Sequence, residues 1–292
     1  MSTALITGEV LYDIFENGNQ VLGGAPFNVA WHLQGFGLNP LFISAVGQDE
    51  NGDHIRQAMA DWGLSTKGLQ MDPAHPTGTV QVQFSKDSHS FTINENVAYD
   101  FIQMPSDDCG IGKSRIMYHG SLALRSPVTR ETILNLRQAS GLPVFVDVNL
   151  RAPFWDVAQI KNLIRGANWV KLNDEELAAL TQQQQLDLVS LAQRFRQDHE
   201  IGTMIVTCGD RGAFMISEDQ VEGVNSVPVE NMVDTVGAGD AFSSMAIAGL
   251  IQGWEFKEIL EAASLFAAKI CGIRGAIQKD RSFYDDFMDE IH

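Results

Sequence analysis

The run Asp234–Phe242 reads Asp-Thr-Val-Gly-Ala-Gly-Asp-Ala-Phe and opens a stretch rich in small residues, Ala241, Ser243, Ser244, Ala246, Ala248 and Gly249. Gly237 and Gly239 permit a tight turn and a close backbone approach to a ligand. The amides at a helix start have no intrahelical partner, and the helix dipole adds positive potential there. The backbone at Gly237, Ala238 and Gly239 therefore suits the charge on a transferring phosphoryl group. Asp240, in the first turn, is placed to take a proton from an attacking hydroxyl. The same residues would also make an ordinary helix start with a packing glycine. A dinucleotide fingerprint is a poorer match, because Phe242 stands where its third glycine belongs.

Gly112-Lys113-Ser114 imitates the end of a phosphate-binding P-loop. Asp107 occupies the position of the required first glycine, and the segment leads into an apolar strand pattern, so this motif is rejected. Cys109, Cys208 and Cys271 are scattered, and neither they nor the seven histidines have metal-ligand spacing. His119 reads more simply as a core histidine than as a substrate contact.

Short apolar runs alternate with helical patterns. Strands are expected at 4–7, 41–46, 116–119, 144–148, 169–171 and 204–207, with a further strand near 227–229 leading into the Asp234 motif. Helices are expected at 26–37, 52–62, 128–140, 155–166 and 186–198, and the acidic end, 285–290, reads as a solvated helix face. Such alternation implies a mostly parallel sheet covered on both faces, with ligands at the carboxyl ends of its strands. Residues 79–84 and 90–94 break the pattern with a period of two, which predicts a hairpin with one apolar face. That face would either extend the core sheet or cover a site. Gln182–Gln185 reads as an exposed polar run. No repeat or linker divides the 292 residues, so one domain is expected.

A net charge of −17 disfavours nucleic acid and anionic membranes as partners and demands local positive potential at any phosphate site. Few cysteines and no basic leader before the first apolar run point to the cytoplasm.

Asp234–Phe242 resembles the C-terminal signature of the ribokinase-like (PfkB-type) carbohydrate kinases. Gly23-Gly24-Ala25-Pro26-Phe27-Asn28-Val29-Ala30 resembles their N-terminal signature. Residues 47–52, Lys171–Glu176 and Thr207–Gly212 follow the same family pattern, and Asp147-Val-Asn-Leu-Arg151 resembles a block of fructokinases and 2-keto-3-deoxygluconate kinases. The resemblance runs nearly end to end. It implies a three-layer α/β/α fold with a small β lid from about residues 10–22 and 77–95. It implies ATP as phosphoryl donor and a small sugar as acceptor, with Asp240 as base.

The family also implies roles for single residues. Asp13, Gly23, Gly24, Asn28 and Arg151 would bind sugar, the glycines leaving room for the ring and Asn28 offering donor and acceptor. Asn149, Lys171, Asn173, Thr207, Gly209 and Gly212 would join Gly237 and Gly239 around the nucleotide. Magnesium would sit near Glu176, through water, and a monovalent cation such as potassium near Asp234. The helix around 268–272 would wall the adenine. Fructose is the expected acceptor and 2-keto-3-deoxygluconate the alternative. The segment 95–102 lacks an arginine often found in fructokinases. A non-catalytic sugar-binding protein is the reading of another class. Homodimerisation through the lid is expected from the hairpin's apolar face.

Overall fold

The computed structural model describes residues 3–85, 88–106, 109–181, 187–229 and 231–291; the polar run 182–185 lies outside them. Thirteen strands and nine α-helices form among these residues. The main sheet runs, from one edge to the other, β13 (Val221–Val224), β12 (Ala213–Ile216), β11 (Thr203–Thr207), β10 (Trp169–Asn173), β9 (Val144–Asp147), β8 (Ile116–His119), β1 (Ala4–Thr7), β4 (Leu41–Gly47) and β5 (Leu69–Asp72). All neighbours are parallel except β11–β12 and β12–β13.

Side-chain alternation assigns the two faces. Leu5 of β1 and Val170 and Leu172 of β10 point into one core, with α3 (Pro127–Ser140), α4 (Val157–Ile164), α5 (Asp174–Thr181) and α6 (Leu188–Asp198). Ala4, Ile6 and Ile205 point into the other, with α1 (Ala25–Gly35), α2 (Glu50–Trp62), α7 (Ala238–Gln252), α8 (Phe256–Cys271) and α9 (Arg281–Ile291). This is the expected three-layer arrangement. Strands buried on both faces are near-continuous apolar runs for that reason.

Aspartates start several helices. Asp49, Asp156 and Asp187 accept from the amides of Gly52, Gln159 and Ser190 and so fix the entries of α2, α4 and α6. Helix α7 is buried almost all round, and its small residues let α8 pack close. A Cβ on Gly249 would approach Trp254 and Ile259 to 2.8 Å.

One expectation is corrected. Residues 227–229 form no strand; the antiparallel edge strand is Val221–Val224, and the stretch after it runs irregularly along a cavity. The acidic end does form a solvated helix face, with Asp285, Asp286, Asp289 and Glu290 exposed, while Tyr284 and Phe287 on the opposite side are buried against α1 and α8.

A second sheet has the order β3 (Gln20–Gly23), β2 (Leu11–Phe15), β6 (Gly78–Ser85), β7 (Ser88–Ile93). Leu11, Val80 and Ile93 bring it to the carboxyl edge of the main sheet, where they line the main cleft. Sheet order reverses at β1: the chain proceeds to β4 and β5 on one side and from β8 to β11 on the other. Ligands in open α/β sheets bind at such a switch point.

Candidate active site

A cleft of about 880 Å³ lies at this carboxyl edge. Its walls are built largely from strand ends and the residues just beyond them. Glu9 comes after β1, and Asp13 stands inside β2. Asn149 and Arg151 come after β9, Asn173 ends β10, and Thr207 ends β11. Gly24, Asn28 and Lys171 join them, with Glu176, Gly209, Gly237, Gly239 and Asp240. Blocks more than two hundred residues apart thus meet on one surface. Four expected site residues lie off this surface. Gly212 and Ala238 line the adjoining cavity. Gly23 ends β3 behind Asp13, 3.5 Å from its carboxylate measured from a Cβ built on the glycine. Asp234 lies beside the shared wall residue Thr235, and its Oδ1 accepts from the Val236 amide.

The Asp234 motif folds as expected. Gly237 adopts φ +80° and starts α7, and a Cβ there would come within 2.4 Å of Ala276. Asp240 lies in the first turn, and Asn28 Nδ2 from α1 donates to its Oδ2 at 2.7 Å. Burial pushes the Asp240 carboxyl upward, and the Asn28 hydrogen bond opposes it. The negative charge of Asp147 adds to the rise, and Lys171 and Arg151 counter it. A carboxylate whose proton affinity is raised and which is held in one orientation suits a general base.

Beneath this turn lies an ion pair. Lys171 Nζ lies 3.1 Å from Asp147 Oδ2 and 3.3 Å from the Gly239 carbonyl, to which it donates. Ser243 Oγ donates to the same Asp147 carboxylate at 2.7 Å. Both charges are deeply buried, with side-chain exposures of 9% and 1%. Asp147 therefore pairs with Lys171 and not with Arg151, and Lys171 anchors the start of α7 from below. Arg151 is exposed at the cleft and donates to the Leu150 carbonyl at 3.3 Å.

Asn173 and Glu176 cap α5 reciprocally. The Glu176 amide donates to Asn173 Oδ1 at 2.8 Å, and the Asn173 amide to Glu176 Oε2 at 2.9 Å. The Leu150 amide donates to Glu176 Oε1 at 2.7 Å, so this carboxylate also ties the Arg151 loop to α5.

Next to the cleft is an apolar slot of about 480 Å³, walled by Val227, Val229, Met232, Phe242, Ala268 and Cys271. It shares Thr207, Gly209, Thr235 and Gly239 with the cleft, so the two are continuous. His119 lies in the core, with Nδ1 on the Gly120 carbonyl at 2.9 Å, and burial pushes it down to about 3.

Sequence reasoning missed Glu9, which is 3% exposed and whose Oε2 has no hydrogen-bond partner. Burial pushes it up to about 7, with Asp240 also raising it. Its place just past the first strand, next to Gly8, was the available signal.

Known proteins share this architecture. A sugar kinase of Pyrococcus horikoshii is 31% identical over 87% of this chain and 82% of its own. Its crystal structure superposes with a TM-score of 0.84 over 99% of both chains, and a second structure of it contains ATP. A fructokinase of Klebsiella pneumoniae is 30% identical over 98% of this chain and 97% of its own. The structure of a Vibrio cholerae fructokinase with fructose, ADP and calcium ion has a TM-score of 0.79 at 25% identity, covering 98% of this chain and 99% of that one.

The fold is thus the ribokinase-like α/β fold of sugar kinases. Residues 8–281 match the model of the pfkB family carbohydrate kinases, and the chain belongs to that family.

Proposed function

We propose that this carbohydrate kinase moves the terminal phosphoryl group of ATP to a primary hydroxyl of a neutral ketohexose, fructose first. The observation that carries the reading is the contact of Asn28 with Asp240, which joins the sugar-signature helix to the start of α7 inside one cleft.

On this reading the acceptor lies between the small sheet, acting as a lid, and the carboxyl edge of the main sheet. Asp13 and Asn28 hold its hydroxyls; the Asn28 Oδ1 is buried and has no donor of its own, and a polyol supplies one. Asp240 takes the proton of the attacking hydroxyl. The amides at Gly237–Gly239 stabilise the charge on the phosphoryl group, and Arg151 reaches phosphate oxygens from the open side. The apolar slot beside Ala268 and Phe242 accepts the base of the nucleotide, and Thr207, Gly209 and Gly212 shape the passage between slot and cleft. Lys171 acts from beneath by fixing the Gly239 carbonyl.

Magnesium fits the phosphate end. Each Glu176 oxygen already accepts one backbone amide, and a carboxylate has lone pairs to spare for the waters that magnesium keeps. Bound there, the ion would offset phosphate charge. Asp234 and neighbouring carbonyls are proposed to hold potassium, tested by comparing activity in potassium and sodium salts.

Charge favours a neutral acceptor. Glu9, Asp13 and Asp240 line the sugar end against the exposed guanidinium of Arg151. A keto-acid substrate is the second reading, because Arg151 is free enough to meet a carboxylate. An ADP-release assay with magnesium ATP over fructose, other hexoses, ribose, nucleosides and 2-keto-3-deoxygluconate decides between them. Fructose is expected to lead. A keto acid better in kcat/KM by more than about tenfold would overturn the sugar assignment and leave the kinase assignment standing.

Assembly through the small sheet is a separate proposal. Val80 and Val82 are covered by the chain's own core, while Val21 on β3 is 37% exposed. Light scattering that gives a dimer would support it, and a fully active 32.1 kDa particle would refute it.

A further inference from the structure

Glu9 is a buried carboxyl to which the proposed mechanism gives a share of the cleft's charge but no contact with the acceptor. It lines the cleft together with Asp13, Asn28, Arg151 and Asp240. Its backbone is fixed by the paired-glycine turn: a Cβ on Gly24 would stand 2.7 Å from the Glu9 carbonyl oxygen. Its Oε2 is buried and has no donor.

The groups facing Glu9 come from several elements: Asp240 on α7, Arg151 after β9, Arg125 in the turn at Leu122–Arg125, Tyr99 before that turn, and Tyr118 on β8. Arg125 is committed elsewhere through Nε and Nη2, while its Nη1 is buried with no hydrogen-bond partner. It donates through Nε and Nη2 to Asp100 at 2.8 and 2.9 Å and through Nη2 to the Tyr99 hydroxyl at 3.1 Å. Arg151 is solvent-exposed and already neutralises Asp13 and Asp240 in part. A carboxyl oxygen left without a donor in such a place destabilises the empty protein, because a buried polar atom left unmade costs more than a satisfied one returns. A ligand that brings a donor to Oε2 recovers that loss on binding.

We infer that Glu9 contacts the acceptor sugar and determines its class: its carboxyl takes one sugar hydroxyl and repels an acceptor that carries its own carboxylate. This rests on the reading of the cleft as a sugar site. Burial also brings Glu9 to about 7, so near neutrality it can either accept from a hydroxyl or donate to one. An anionic acceptor would meet Glu9, Asp13 and Asp240 together.

The test is Glu9→Gln, close in shape and without charge, assayed with fructose and with 2-keto-3-deoxygluconate. The expected result is a fructose KM raised about tenfold or more, since a hydrogen bond to an ionisable group is lost. The KM for ATP and kcat should stay near the wild-type values. The preference for fructose over the keto acid should narrow, and the sugar KM should lose its dependence on pH near 7. An unchanged fructose KM and unchanged preference would overturn the inference. So would a parallel rise in the KM for ATP, which marks a general disturbance of the cleft.

If Glu9→Gln does not fold, Glu9→Asp decides through equilibrium binding of fructose without ATP: weaker binding supports the inference and unchanged binding refutes it. Failure of the underlying reading shows up separately, as wild-type protein that releases ADP with no sugar in the panel.

Discussion

The side-chain amide of Asn28 donates to the Asp240 carboxylate across 2.7 Å, joining residues 212 positions apart. The contact holds the carboxylate in one orientation and ties α1 to α7 at the point where both face the cleft. Asn28→Asp would set two carboxyls at this separation, and like charges so close raise one pKa strongly. The acid limb of the pH–rate profile should then move to higher pH by about a unit or more, with kcat reduced at neutral pH. A profile superimposable on the wild type would show that Asp240 does not titrate in the rate-limiting step.

The Lys171–Asp147 pair is a structural commitment under the turn that starts α7. Lys171→Met removes the cation beside the Asp147 carboxylate and leaves it held by neutral groups such as the Ser243 hydroxyl. Breaking a buried pair from one side costs about 3–5 kcal/mol. Urea unfolding should read a loss of that order, and the further change Asp147→Leu should restore much of it. Loss of stability that is not relieved by the second change would mean that Lys171 acts through something other than this pair.

Gly237 and Gly253 begin and end α7 with similar left-handed φ values, +80° and +77°, but only Gly237 has a neighbour where a Cβ would go. Alanine at either position carries the backbone strain, about 1–2 kcal/mol. At Gly237 the Cβ also collides with Ala276, so the α7 turn must shift. We expect Gly237→Ala to lower kcat by about a hundredfold, the scale of a displacement near one ångström, while Gly253→Ala keeps full activity. Equal activities would remove the geometry of this turn from the mechanism.

Much of this was legible in the chain. Val144–Asp147 and Thr203–Thr207 are apolar because both faces of their sheet are covered. The Asp234 run predicted its own helix and turn. The features that depend on pairing could not be read. Lys171 and Asp147 sit opposite one another in the β9–β10 register. Neither sequence block reveals that the lysine faces a strand neighbour first and the cleft second. Residues 227–229 looked like a strand because Val-Pro-Val is apolar, but that apolarity serves a cavity wall. The burial of Glu9 could not be read, because the groups that face it, Asp240, Arg151 and Arg125, come from segments more than a hundred residues away.

Buried ionisable groups give the stability a shaped pH dependence. His32 and His119 are pushed down to about 3 from 6.5, mainly by burial. The unfolded chain binds their protons first, so their contribution is full above 6.5 and is lost as pH falls. Glu9 and Asp13 are pushed up to about 7 and about 6 from 4.5 and 3.8. Here the folded protein binds protons first, so their contribution is full at low pH and is lost as pH rises through those windows. Each group contributes about 1.4 kcal/mol per pH unit within its window. Among these four groups the two rising and two falling terms offset one another between about pH 4.5 and 6, and the raised carboxyls of Glu176 and Asp240 add to the falling side, so stability should not rise with pH across this range. Denaturant unfolding from pH 3.5 to 8 checks this; a steady decline on acidification that begins at about pH 6.5 would contradict it.

On the proposed reading Asp240 removes the proton of the sugar hydroxyl. Asp240→Asn preserves shape, and its carboxamide oxygen can still accept from Asn28. The direct measurement is ADP release with fructose and magnesium ATP, read beside equilibrium fructose binding. The expected result is a kcat lowered by roughly 10²–10⁴, the scale of removing a general base, with fructose binding retained within a few-fold. Wild-type turnover in the asparagine variant would contradict it.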